Sequence, residues 1–400
     1  MRPHPLRRAP CAPCALCALC ALCALCALFI APRAAPSWAQ APAPAAAAEE
    51  EREGMAPTPG ARAGLVSFNL LAGLTFYGPA AVSLLESDSD RANVGVYLLT
   101  AGGAFLAPYL GVGKREVRWA ATDLSSSLSL RGALHGALLA EVVDGAALNT
   151  RLWLAGLLSA AEAVGGYQYA TQGELSAGEG HTLVVASDLG LLAGLFGGLA
   201  GELQPKPLAA LTLAGSLAGF GAGELYRRRR AHTWGDAEAV RLAALLGLWA
   251  TVPLGASLRL DSPRALGLAA LATLAAGAAA GDALTRDTSL SLPDALIMDA
   301  SAVGGGFLGA GALYMIKPDL QSSKSSSPYQ WAALVGAMAG YALSYLSATA
   351  WEAEAGGEGG FEGAEEEGAP SAALGPWVAP LPRAGGRTEL ARGLGLSGSF

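Results

Sequence analysis

The chain has 400 residues, 52% of them apolar and only 15% charged, with 53 glycines, a mean hydropathy of +0.38 and a net charge of −7. Such an apolar chain is excluded from intrinsic disorder, and such a long one from the disulfide-dense miniproteins. The acidic balance argues against a nucleic-acid partner, and an aromatic share of 7% beside so much Ala, Leu and Gly points to closely packed helices rather than an aromatic β core.

Residues 1–39 read as a cleavable signal peptide. Arg2, Arg7 and Arg8 form a basic start, an apolar stretch runs from Cys11 to Ala31, and Ser37-Trp38-Ala39 offers small residues for cleavage before Gln40. All six cysteines (Cys11, Cys14, Cys17, Cys20, Cys23, Cys26) lie there in a Cys-Ala-Leu repeat. The mature chain is therefore expected to hold no disulfide, thiolate metal site or cysteine nucleophile. Cleavage removes four arginines and no acid, which takes the net charge from −7 to −11. Residues 40–61, rich in Ala, Pro and Glu, read as a disordered linker.

Residues 62–350 hold some ten apolar segments of about 17 to 24 residues, the length that crosses a hydrocarbon core as helix. Small residues recur four apart within them, as in Gly190, Gly194 and Gly198, Gly215, Gly219 and Gly223, or Gly336, Gly340 and Ser344. That spacing puts them on one helix face, where neighbouring backbones approach closely. The expected fold is all-α: a membrane-embedded bundle of Gly-rich helical hairpin repeats. The repeat is read from Ser176-Ala-Gly-Glu179, Thr233-Trp-Gly-Asp236 and Ser291-Leu-Pro-Asp294, which stand 57 and 58 residues apart. Each has the form of a capping box, a Ser or Thr N-cap with an acid three residues later, and so predicts a helix start. Earlier copies near 62 and 122 lack the box and are placed by hydropathy alone.

Residues 351–374 form an acidic Gly/Glu-rich linker, and 375–400 a strand-like tail in which Leu390, Leu394, Leu396 and Phe400 alternate. That ending resembles the last-strand signal of bacterial outer-membrane barrels, although the upstream runs lack the period-two pattern of barrel strands.

Catalytic and cofactor motifs are not found. His135, His181 and His232 do not fall at metal-ligand spacing, Ala214 stands where a nucleophile elbow around Ser216 needs Gly, and Gly113-Lys114 is followed by Arg115 rather than Ser or Thr. No enzymatic activity, metal or cofactor is expected. Asp188, Arg241 and Asp299 lie inside apolar segments, where a charge is costly, and form the candidate intramembrane polar cluster. Arg241 and Asp299 sit at equivalent points of the repeat and are expected to face each other or share a polar pocket, with Asp188 near the same seam. Arg227, Arg228, Arg229 and Arg230 are a candidate contact for anionic lipid headgroups, or a cationic helix ending. If all ten segments span after export, these arginines and Lys114, Arg115 and Arg118 fall on the exported side, against the positive-inside rule. Three resolutions stay open: one segment does not span, the leader remains as an anchor, or insertion follows another route. The expected role is an exported structural or scaffolding protein in the membrane of a bacterial-type cell envelope, its partner the lipid bilayer; the alternative is a transporter or channel using Asp188, Arg241 and Asp299.

Overall fold

The computed structural model describes residues 59–113, 115–143, 147–286, 288–317, 327–357, 372–382 and 388–398. The expected signal peptide, most of the first linker and residues 358–371 of the acidic linker lie outside them. Helix α1 (Pro59–Ala72) continues through a π turn (Gly73–Tyr77) into α2 (Gly78–Leu85), and α3 (Asp90–Val112) returns antiparallel. Eight further helices follow: α4 (Trp119–Val143), α5 (Leu148–Gln172), α6 (Ala177–Ala200), α7 (Pro205–Arg227), α8 (Trp234–Leu258), α9 (Pro263–Leu284), α10 (Leu292–Ile316) and α11 (Ser327–Gly357). With α1 and α2 taken as one rod, eight of the described helices are long and apolar enough to cross a membrane; α4 and α5 are not among them. Helix α11 runs past the expected boundary at 350.

Residues 1–349 and 350–400 form separate units. In the second, β1 (Ala372–Pro382) pairs antiparallel with β2 (Thr388–Gly398), from Ala372 opposite Gly398 to Pro382 opposite Thr388. Ser399 and Phe400 lie outside the described residues.

Three helices begin where the sequence puts a capping box. The Ser176 hydroxyl accepts from the Glu179 amide at 3.2 Å while the Glu179 carboxylate accepts from the Ser176 amide at 3.0 Å; Thr233 with Asp236 and Ser291 with Asp294 repeat the arrangement. Two donors that the first helical turn leaves unpaired are satisfied each time. The central box also ties two hairpins together: the second Asp236 oxygen accepts from the Leu290 amide at 3.0 Å, and the Thr233 hydroxyl donates to the Leu290 carbonyl. A side chain at Gly235 would lie 2.2 Å from that carbonyl, and one at Gly178 only 1.8 Å from the His232 carbonyl, so both positions require glycine.

Within the hairpins, glycine sets the distance between helices. A Cβ on Gly132, Gly190, Gly247 or Gly305 would lie 2.2 to 2.4 Å from a backbone oxygen of the returning helix, at Leu158, Gly215, Thr273 and Gly336 respectively. These four stations stand 58, 57 and 58 residues apart, as do the starts of α4, α6, α8 and α10. The π turn has a local cause as well: Pro79 has no amide to donate, and the Tyr97 hydroxyl donates to the Leu74 carbonyl at 2.9 Å.

The apolar surface is arranged inside out. Phe307, Leu308, Met315 and Ile316 are 74% to 78% exposed, whereas His181, Glu238, Arg131 and His135 are at most 5% exposed. Water would penalise both halves of this distribution, and a hydrocarbon surround accepts it. Long apolar helices with a small-residue and polar interior fit a membrane location.

Candidate functional site: a chain of buried ionisable residues

Helices α4, α6 and α8 lie side by side with their N-terminal ends together: Gly180 packs on Ala120, and Gly178 on the entry to α8. Four residues into each helix stands an ionisable side chain, Asp123, His181 and Glu238, and the three are joined. His181 Nδ1 lies 2.8 Å from Asp123 Oδ2, and its Nε2 lies 2.7 Å from Glu238 Oε2. The Trp234 indole stacks on the imidazole with ring centres 3.9 Å apart, covering the bridge from the helix end. An imidazole between two carboxylates offers a ring nitrogen to each, so one histidine satisfies acids on both flanking hairpins.

Glu238 extends the chain. Its Oε1 accepts from Arg241 Nε at 2.9 Å and also from Arg241 Nη2, and Asp299 of α10 is close enough to the same carboxylate to feel its charge. Arg241 thus pairs first with Glu238, one turn away on its own helix, with Asp188 and Asp299 both in electrostatic reach. Arg241 and Asp299 are in electrostatic reach of each other, while the direct ion pair of Arg241 is with Glu238. Asp188 has its own partner, Arg131 of α4, whose Nη2 also donates to the Val184 carbonyl at 3.1 Å. Of the half-buried Asp188, Arg241 and Asp299, the first two therefore have ion-pair partners, and Asp299 lies in electrostatic reach of Arg241.

Helix α4 carries a second series of pairs at successive depths. Beyond Asp123 and Arg131, His135 Nδ1 lies 2.8 Å from Glu162 Oε1 of α5, and Glu141 pairs with Arg151. Arg131 Nε and Nη1 and His135 Nε2 are buried with no partner among the described residues. Among those residues, no group of three His, Cys, Asp or Glu has a geometry that could hold a metal ion.

The arginine run at the end of α7 is largely spent on the protein itself. Arg227 pairs with Glu224 and Glu179, Arg228 with Glu224, and Arg230 with Asp282; Arg229 is exposed. Tyr169 donates to Glu224 at 2.7 Å, and Tyr226 to Asp282, 57 and 58 residues further along. In the loop before α8, burial, with the Arg230 guanidinium second, pushes the His232 imidazole down to about 4. Its Nε2 lies 3.2 Å from the Tyr226 hydroxyl.

Sequence reading missed Asp123, His181 and Glu238 as a group. They stand 58 and 57 residues apart, in the register of the capping boxes, and comparing the copies column by column would have found them. No family model, curated protein or solved structure matches the chain.

Proposed function

We propose that this is a non-enzymatic, membrane-embedded structural protein of a bacterial-type cell envelope. Its helical hairpins are copies of one unit, locked side by side through buried charges and close-packed glycines. The observation that carries this reading is the Asp123–His181–Glu238 chain. Its members occupy the same depth in three parallel helices, so it runs across the bundle from hairpin to hairpin. A path for a solute or proton needs polar groups at successive depths along the membrane normal, whereas a lateral lock needs them at one depth. Isolated buried charges are expelled or neutralised, and joining them between neighbours removes that penalty while fixing which hairpin sits beside which.

The second reading is a transporter or channel. The series on α4 favours it, because Asp123, Arg131, His135 and Glu141 cover 18 residues, about 27 Å of helix. Reconstitution separates the two. The purified chain is placed in vesicles loaded with a pH-sensitive dye, and a proton or potassium gradient is imposed. The structural reading expects dissipation no faster than in empty vesicles. Flux that saturates and disappears in His135→Ala would replace it with transport.

A further inference from the structure

Between α1–α2, α3 and α5 lies an open cavity of about 1150 Å³. Its lining runs along α5 from Leu152 to Gln168 and along α3 from Val96 to Val112, so it is a slot about 24 Å long. It exceeds the roughly 15 Å of hydrocarbon that one leaflet supplies. The walls are mainly apolar, with Leu65, Leu84, Pro108, Leu157 and Val164 among them, and Trp153 stands 65% exposed on one side. Two of the polar groups in the wall are satisfied internally: Tyr77 reaches the Ser129 and Ser159 hydroxyls, and the Asn69 amide donates to the Leu65 carbonyl. Helix α3 packs principally on α1 and α2, which leaves its other side to the slot.

One end of the slot is basic. Arg115 lines it, exposed and without an ion pair or side-chain hydrogen bond among the described residues. Arg118 follows three residues later, and the Arg62 guanidinium lies over the Tyr109 ring at 5.3 Å near the same end. Glu116 is the acid in this loop.

We propose that this slot binds an anionic phospholipid, its acyl chains along α3 and α5 and its phosphate at Arg115. Two properties select that occupant. The slot is apolar and long enough to take the acyl chains of one leaflet, and its cationic end matches a phosphate where a headgroup would lie. A free acyl chain lacks the phosphate, and a zwitterionic lipid offsets it. The assignment requires a membrane location and is independent of whether the buried charges lock or conduct.

Trp153 supplies the readout. The full chain in mild detergent is titrated with brominated phosphatidylglycerol or brominated phosphatidylcholine of the same chains, and the Trp153 quenching is obtained by difference from Trp153→Phe. We expect phosphatidylglycerol to quench at about fivefold lower lipid than phosphatidylcholine, the preference that one interfacial arginine supplies. Arg115→Gln is expected to bring the two lipids to parity. Gly103→Phe should abolish the quenching, because Gly103 lines the slot with open space before it and accepts a side chain without a clash. Gly102→Phe, also facing open space but not part of the lining, is the control for folding and should leave the quenching unchanged. Equal quenching by both lipids, unaltered in Arg115→Gln, means bulk lipid contact only and overturns the proposal. Full quenching in Gly103→Phe overturns it as well.

Discussion

Gly190→Ala tests the glycine contacts most sharply. The added methyl would lie 2.3 Å from the Gly215 carbonyl oxygen and 2.6 Å from the Gly219 Cα, against an ordinary contact of about 3.5 Å. Both obstacles are backbone, so neither rotates away and α6 and α7 must separate by about 1 Å. Overpacking of this kind costs about 1 to 3 kcal/mol, and a gap of that size also forfeits a quarter to a half of each van der Waals contact along the seam. Alanine is itself the better helix former by about 0.5 to 1 kcal/mol, which offsets part of the loss. Gly156→Ala isolates that benefit, because nothing lies within 4 Å of the Cβ it would add. Thermal and denaturant unfolding in one detergent should place Gly190→Ala about 2 kcal/mol below Gly156→Ala. A Gly190→Ala/Gly215→Ala double variant should lose less than the sum, since one separation of the helices accommodates both methyls. Equal stability of Gly190→Ala and Gly156→Ala would refute the reasoning.

Other outcomes follow from the loops and caps. His232 is held neutral well below its unfolded value near 6.5, so its contribution is fully present above pH 6.5 and is lost as pH falls through about 4. The melting temperature should drop over that window, and less so in His232→Gln. Ser176→Ala should cost about 1 kcal/mol in the same assay, with Thr171→Ala, outside the boxes, near neutral. Topology is read with single cysteines in a chain whose six leader cysteines are changed to serine. Glu116→Cys and Arg229→Cys should label from one side, and Asp88→Cys and Asp261→Cys from the other. Labelling of all four from one side would contradict a bundle of spanning hairpins.

The helices and the starts of α6, α8 and α10 are legible in the sequence, because hydropathy and capping act within about 20 residues. The charge chain is much less so. Asp123, His181 and Glu238 each look like a lone polar residue near a helix start, and only the hairpin period connects them. Arg241 was matched in sequence to Asp299 as its repeat equivalent, yet its first partner is Glu238. An acid three residues earlier on the same helix lies within reach, and His181 already holds that carboxylate in the interior. Four arginines in a row are compatible with a lipid contact or with a cationic helix ending, and nothing in the run itself shows that carboxylates from α6, α7 and α9 take up three of them. The slot beside α3 has no sequence signature, since it arises where two helices do not close on each other.

The lateral lock is tested most directly by the unfolding free energy of His181→Leu beside that of the triple variant Asp123→Leu/His181→Leu/Glu238→Leu. If the chain is structural, the single change leaves Asp123 Oδ2 and Glu238 Oε2 without their imidazole partner and costs about 3 kcal/mol or more, and the triple, which removes both carboxylates and leaves Arg241 to Asp188 and Asp299, recovers most of that loss. A triple variant as unstable as the three single losses added together, or a His181→Leu protein of unchanged stability, would contradict the account.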